Sequence, residues 1–306
     1  MPNKKVLIVI VGPTAIGKTS LAIEVAKYFN TEIISSDSRQ FYKEMQIGTA
    51  VPSQEELTVI RHHFVQHKSI HETYTVGDFE REAVAFMDEF FKTKDILVMV
   101  GGSGLYEKAV TQGLDDFPEV DEGIRRQLND ELAKFGLHSL QEELKTTDPR
   151  YYKEIDLENP HRVIRALEIV RGTGKPFSSF LAQKKNQRKF NVIKIGLELP
   201  REQIYDRINL RVDLMMQDNL LKEVESLYHY KDLNALNTVG YKELFKVLDN
   251  AWDLPFAISE IKKNTRRFAK RQLTWYRKDP DLKWFAPTEK QKIIDFIKEE
   301  VSTLSH

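Results

Sequence analysis

Residues 6–11, VLIVIV, form an unbroken run of β-favouring apolar side chains. A strand buried on both faces carries such a run, whereas a half-buried strand alternates apolar with polar. Behind it, Leu21, Val25, Ala26 and Phe29 recur at helical spacing, which predicts a helix over 20–29. The short run 32–36 (EIISS) predicts a second strand that ends in Asp37. Residues 96–100 (ILVMV) predict a third, which runs into GGSG at 101–104, and 192–199 (VIKIGLEL) a fourth, closed by Pro200. Strands alternating with helices predict an α/β fold with a mostly parallel sheet flanked by helices. Ligands of such sheets sit beyond the carboxyl ends of the strands. The segment 12–19, Asp37 and the 101–104 loop should therefore share one rim. From 120 to 190 the pattern turns strongly charged and helical, which predicts a helical domain inserted into a core made of 1–119 and 191–306. After Pro200 the pattern is helical, over 202–214, 220–228, 241–248, 255–276 and 289–301.

Composition narrows the class. The chain has 306 residues, 41% apolar and 30% charged, as ordinary globular proteins do. No apolar run reaches the ~18 residues of a membrane span. The basic start followed by 6–11 superficially suggests a secretion signal, but the run passes straight into 12–19 with no small-residue cleavage site, so a first strand is the better reading. There is no cysteine, which excludes disulfides, a thiol nucleophile and cysteine-ligated zinc and is compatible with the cytoplasm. Net charge is zero, yet its distribution is uneven. Residues 171–189 hold six Lys/Arg and no acid, and residues 262–278 hold eight and no acid. Balanced totals with segregated sign suggest a polyanion bound at one place.

Residues 12–19, GPTAIGKT, fit the phosphate-loop pattern between a strand and a helix. The glycines let backbone N–H groups face an anion, the helix N-terminus points its positive end there, and Lys18 adds a full charge. Thr19 can hold a divalent metal that bridges phosphate oxygens. The default ligand of such a P-loop NTPase-like core is ATP, used by a kinase or an NTPase. That default lacks its usual strand-end acid, because 96–100 ends in glycine. The acid at a strand end is Asp37. It suits indirect metal support, a general base toward a second substrate, or a simple turn cap.

Other clusters have bland and sharp readings. His62, His63, His67 and His71 lack metal-binding spacing and read as structural or solvated. Arg207 and Arg211 share a helix face, either facing solvent or reaching a phosphate. In KKNTRRFAKRQLTWYRKD (262–279), Ile261, Thr265, Phe268, Gln272 and Trp275 fall on one stripe, with Arg266, Lys270 and Arg277 on another side. A basic amphipathic helix with aromatic residues suits a nucleic-acid backbone, with a membrane surface as the alternative. Arg162 and Arg165 lie opposite Val163, Leu167 and Val170, as a solvated or an RNA-facing pair.

GPTAIGKT (12–19), DSRQFY (37–42), IGTA (47–50), HHF (62–64), GGSGLY (101–106), NPHRVIRALEI (159–169), GYKEL (240–244) and AKRQLTWYRK (269–278) together resemble the tRNA dimethylallyltransferase (tRNA isopentenyltransferase) family. They occur in family order over nearly the whole chain. Ser103 stands where the family usually has Thr, Pro160 where Asp is common, and Asn219 where Gly is frequent. None of these changes removes a group assigned to chemistry. The resemblance implies transfer of a dimethylallyl group from dimethylallyl diphosphate to N6 of adenosine 37 in tRNAs reading codons that begin with U. It implies Asp37 as general base. It further implies that the loop Gly12, Pro13, Thr14, Ala15, Ile16, Gly17, Lys18 and Thr19 seats the diphosphate, with Mg2+ on Thr19 and Arg211 opposite the leaving charge. It assigns tRNA contact to Asp37, Ser38, Arg39, Gln40 and Ser103, to Arg162 and Arg165 of an insertion gripping the anticodon stem-loop, and to Lys270, Arg271, Gln272, Trp275 and Arg277. A cytoplasmic monomer is expected. A kinase of unknown acceptor and a non-enzymatic RNA-binding module are the competing classes.

Overall fold

A computed structural model describes residues 4–181 and 188–304. In chain order the elements begin with β1 (Val6–Val11), α1 (Lys18–Tyr28), β2 (Ile33–Ser35), α2 (Gln54–Val59), β3 (His62–His63), α3 (Val76–Phe90), β4 (Ile96–Gly101) and α4 (Gly104–Gln112). Four helices follow: α5 (Glu122–Phe135), α6 (Leu137–Thr147), α7 (Pro149–Glu154) and α8 (Pro160–Thr173). The chain then returns through β5 (Asn191–Leu197) to α9 (Arg201–Gln217), α10 (Leu220–Ser226), α11 (Tyr241–Leu248), α12 (Leu254–Tyr276), β6 (Lys283–Phe285) and α13 (Lys290–Leu304).

The strands form one six-stranded sheet in the order β3-β2-β4-β1-β5-β6, and every pairing is parallel. β1 lies inside it, which explains its unbroken apolar run. Val6, Ile8 and Ile10 enter a core with Leu21, Val25 and Ala26 of α1, Ile204 and Ile208 of α9, and Ile293 and Ile297 of α13. Leu7, Val9 and Val11 enter the opposite core with Phe79, Ala83 and Met87 of α3. Burying an aliphatic side chain of this kind is worth about 1.5–3 kcal/mol, so a charge anywhere in β1 would be severely destabilising.

Two strands escape the sequence pattern. β3 is two histidines long, and β6 is three residues long, between the helices read over 255–276 and 289–301. Both are too short to show a period. β6 is held by pairing with β5, where Trp284 lies against Gly196; a Cβ on Gly196 would come within 2.7 Å of the Trp284 ring.

A third apolar cluster joins α9, α10, α11 and α12, with Tyr241, Leu244, Phe245 and Ile261 at its centre. Asp253 caps α12 by accepting from Phe256 N at 2.7 Å, and Pro255 occupies its first turn, so the 23-residue helix starts where the sequence predicts.

Residues Gln112–Gln187 form a second compact unit. Its limits correct the expected 120–190. Phe117 already packs in this unit's own core, stacked on Phe177 at 4.5 Å. Arg188 belongs to the main unit, donating to Ala109 O at 2.6 Å and pairing with Glu80. Within the second unit, Leu128, Leu140, Leu144, Val163 and Leu167 pack together, and Arg171 bridges Glu131 (2.7 Å) and Glu143 (2.5 Å). Among the described residues no helix is long and apolar enough to cross a membrane.

Candidate active site

β1 delivers the chain to the sheet rim, where Gly12 (φ 149°), Ala15 (φ 63°) and Gly17 (φ 102°) curl the backbone before α1 begins at Lys18. Gly12 is required here. Its φ disfavours a side chain, and a Cβ would come within 2.8 Å of Leu197 O on β5. No side chain caps the N-terminus of α1, so its first N–H groups face the rim unpaired by a cap. Lys18 Nζ folds back to donate to Pro13 O at 2.8 Å. Loss of water around the ammonium lowers its pKa to about 8; the Asp37 charge opposes this shift and Arg211 adds to it.

α9 lays two guanidinium groups on this loop. Arg207 donates to Ile16 O at 2.9 Å, and Arg211 donates to Thr14 Oγ1 at 3.2 Å. Desolvation lowers the pKa of Arg211, while Asp37 and Glu56 raise it. The helical face of 207 and 211 is therefore a loop-facing one.

Asp37 lies two residues beyond the end of β2. Its N–H donates to Ser35 Oγ at 3.2 Å, and its Oδ1 accepts from Arg39 N at 3.2 Å. Ser103, after β4, accepts from Ser38 N at 3.1 Å, and the two serine hydroxyls lie 3.1 Å apart. Buried Gln272 of α12 ties the rim together: its Oε1 accepts from Thr14 N (2.9 Å) and its Nε2 donates to Gly102 O (2.8 Å).

Two cavities meet here. One, of about 450 Å³, is lined by residues 14–20 of the phosphate loop and its helix, with Glu56 and Arg207. The other, of about 540 Å³, is lined by Ser38, Ser103, Tyr106, Met215 and Trp275 among others. Thr14, Asp37, Arg211, Phe268 and Gln272 line both. The stripe Ile261, Thr265, Phe268, Gln272 and Trp275 faces the second cavity. Phe268, read from sequence as part of that stripe, stands where the two cavities share a wall.

The remaining candidates divide. Arg39 is engaged by the fold, donating to Ala235 O at 2.8 Å and Asn234 O at 3.0 Å. Gln40 is engaged as well, bonding Ala50 O at 2.9 Å and Ser35 Oγ at 3.3 Å. On the outer side of α12, Lys270, Arg271 and Trp275 line a basic depression of about 420 Å³ with Arg267, Thr274 and Lys278. Arg277 is exposed and lies 3.5 Å from Glu198. In the second unit Arg162 is exposed, whereas Arg165 pairs with buried Glu168 at 2.8 Å and sits over the Phe117 ring. The histidines are structural: His63 meets Glu32 at 2.6 Å, His62 meets Ile60 O at 2.8 Å, and His67 packs edge-on to Phe41.

Among the described residues no group of three or more His, Cys, Asp or Glu side chains could hold a metal alone. The Thr19 hydroxyl and the carboxylates of Asp37 and Glu56 line one cavity. That donor set fits Mg2+, which takes few protein ligands and completes its shell with phosphate oxygens and water. Sequence reasoning missed Glu223, which accepts the backbone N–H groups of residues 46–48; no local signal marks a carboxylate that acts 175 residues away.

The family model described as IPP transferase matches residues 40–279. The chain is 62% identical to the tRNA dimethylallyltransferase of Christiangramia forsetii, over 97% of this chain and 99% of that one. It is 55% identical to that of Flavobacterium johnsoniae, over 98% and 99%. It also resembles the crystal structure of the tRNA isopentenylpyrophosphate transferase of Bacillus halodurans, with TM-score 0.73 and 37% identity over 99% of this chain and 98% of that one. A eukaryotic dimethylallyltransferase acting on tRNA superposes with TM-score 0.81 and 28% identity, over 98% of this chain and 80% of that one. The relatives cover 97% or more of the chain, and so the phosphate loop, the Asp37 segment and α12 together, and the chain belongs to the IPP transferase family of tRNA dimethylallyltransferases.

Proposed function

We propose that this transferase moves a dimethylallyl group from dimethylallyl diphosphate to N6 of adenosine 37 in tRNAs that read codons beginning with U. The observation that carries the reading is the position of Asp37 and Arg211, which line both the phosphate-loop cavity and its neighbour. One cavity suits the diphosphate and the other the acceptor base, so the reacting atoms would meet where these two side chains stand.

The exocyclic N6 is a weak nucleophile, because its lone pair is delocalised into the purine. Asp37 takes its proton as the C–N bond forms. The C–O bond to the diphosphate breaks, and the leaving oxygen gains charge. Lys18, the uncapped N–H groups at the start of α1 and Arg211 stabilise that charge where it develops. Arg211 is already held on the loop by Thr14, so little reorganisation is needed. Mg2+, held by Thr19 with the carboxylates of Asp37 or Glu56 nearby, would add charge neutralisation on the phosphates.

The acceptor base must leave its stack to reach the second cavity. Ser103, Trp275 and Phe268 line that cavity and suit an unstacked base. The basic depression of Lys270, Arg271 and Trp275 suits the RNA backbone. The helical unit, with exposed Arg162, suits the anticodon stem-loop. Arg39, Gln40 and Gln272 act by holding the site in shape, since their polar groups are engaged within the protein, while Arg165, paired with Glu168 through one nitrogen, keeps an exposed part that suits RNA contact. We place the enzyme in the cytoplasm as a monomer.

The test is incubation with tRNA, Mg2+ and labelled dimethylallyl diphosphate, followed by mapping of the modified nucleoside. Label at adenosine 37 is the expected result. ATP hydrolysis without label on tRNA would return the chain to the kinase or NTPase class.

A further inference from the structure

The carboxylate of Glu223 on α10 gathers three consecutive backbone amides. Its Oε2 accepts from Gln46 N at 3.1 Å and Ile47 N at 2.8 Å, and its Oε1 accepts from Gly48 N at 3.0 Å. Oε1 also accepts from Tyr241 Oη, at 2.5 Å. Tyr241 is fully buried and packs against Gly48 so closely that a Cβ there would lie 2.5 Å from its ring. Glycine at 48 is thus what lets the loop come down onto the phenol.

The loop then passes its position onward. Thr49 O and Ala50 O accept from Gln40 Nε2 at 3.3 and 2.9 Å. Gln40 Oε1 accepts from Ser35 Oγ at 3.3 Å, and Ser35 Oγ accepts from Asp37 N at 3.2 Å. A path of hydrogen bonds, carried through the backbone from Gly48 to Ala50, therefore runs from Glu223 to the backbone of Asp37. Thr49 and Ala50 also line both cavities.

We propose that Glu223, assisted by Tyr241, is a positioning residue for transfer: it holds residues 46–50 as a common wall of the two cavities and sets Asp37 through Gln40 and Ser35. The inference rests on the reading of Asp37 as the base. A carboxylate suits the task because it accepts through two oxygens and donates nothing, and its charge strengthens each bond. Glutamine has the same shape, but its amide nitrogen would turn a donor toward N–H or O–H groups.

The experiment compares the full-length protein with Glu223→Gln, and with Tyr241→Phe as the milder variant. Exposed Glu225→Gln on the same helix is the control. Amide hydrogen exchange is followed alongside melting temperature, tRNA affinity and the single-turnover transfer rate. In Glu223→Gln, exchange at 46–48 and at 37–40 should quicken by about tenfold or more while other segments keep their protection. The transfer rate should fall about tenfold or more with tRNA affinity within about twofold, because misplacement affects the reacting geometry rather than the grip. Tyr241→Phe, which keeps all three amide bonds, should lose roughly threefold in rate. Faster exchange confined to 46–48 with a normal rate would overturn the proposal, as would a rate loss fully matched by weaker tRNA binding. Should the wild-type protein transfer no prenyl group, the functional reading falls, and exchange at 37–40 alone decides whether Glu223 sets Asp37.

Discussion

Arg211 reaches back 197 residues along the chain to donate to Thr14 Oγ1 at 3.2 Å. The contact places a guanidinium over a phosphate loop that already contains Lys18. Two cations side by side repel unless an anion joins them, and burial lowers the pKa of both groups, with the Arg211 charge adding to the shift at Lys18. The pair suits the diphosphate of the proposed donor.

Replacing Arg211 should therefore act on the chemical step. We expect Arg211→Ala to lower the transfer rate by about 10²–10³-fold, the loss usual for a donor aimed at developing charge. Arg211→Lys should recover little, because an ammonium lacks the planar fork. Single-turnover rates with saturating donor check both; a fully active lysine variant would reduce the role of Arg211 to simple charge.

Asp37→Ala should abolish most transfer and leave tRNA binding near the wild-type level. Asp37→Asn should fail as well, since an amide cannot take the proton. Turnover against tRNA affinity, measured on the same preparations, separates the two effects. Near-normal turnover in either variant would remove Asp37 from the role of base.

Lys18 gives a pH signature with a definite sign. Its folded pKa of about 8 lies below the ordinary 10.5. Between those values the unfolded chain holds the extra proton, so stability contributed by this group rises with pH from about 8 to 10.5, and the cost of burying the charge is fully present below 8. Lys18→Met should remove this rise, seen as a smaller increase in urea midpoint between the two pH values than in the wild type. Pyrophosphate binding should behave in the opposite way and weaken above pH 8 in the wild-type protein, because the ammonium that attracts the anion is lost.

Lys270 is exposed beside Arg271 and Trp275. Lys270→Ala should weaken tRNA binding and reduce the slope of log affinity against log salt by about 0.7–0.9, the change expected for one lost phosphate contact. Titrations at three or more salt concentrations check this, and an unchanged slope would point that helix face away from the RNA.

Gly12→Ala should destabilise the fold by about 1–3 kcal/mol, the usual range for forcing a side chain into a disfavoured backbone region. The clash with Leu197 O would add to this. The urea midpoint of the variant checks it, and wild-type stability would show that β1 and β5 move apart easily.

Much of the architecture was legible because it is local. The run 6–11 can be satisfied only by burial on both faces, and it lies between α1 and α3. The phosphate loop is a chemistry of adjacent residues, and the helical spacing over 255–276 places the start of α12 to within one residue. The short edge strands were not legible: β3 and β6 exist because a neighbouring strand accepts their backbone bonds, not because of any period in their own residues. The inserted unit was placed by its charge and helical pattern, but its limits depend on which core Phe117 and Arg188 join.

The sequence by itself determined the α/β class, the phosphate loop, the strand-end acid and the basic helix, since each is written in neighbouring side chains. Tertiary structure decided which charges act together. Only folding shows that Arg211 rests on Thr14, that Gln272 bridges two loops instead of facing outward, and that Glu223 holds residues 46–48. Those contacts join residues 170 to 258 positions apart. Hydrogen bonds over such distances leave no periodic trace, because the packing of whole helices against the sheet, not the local chain, brings their partners into reach.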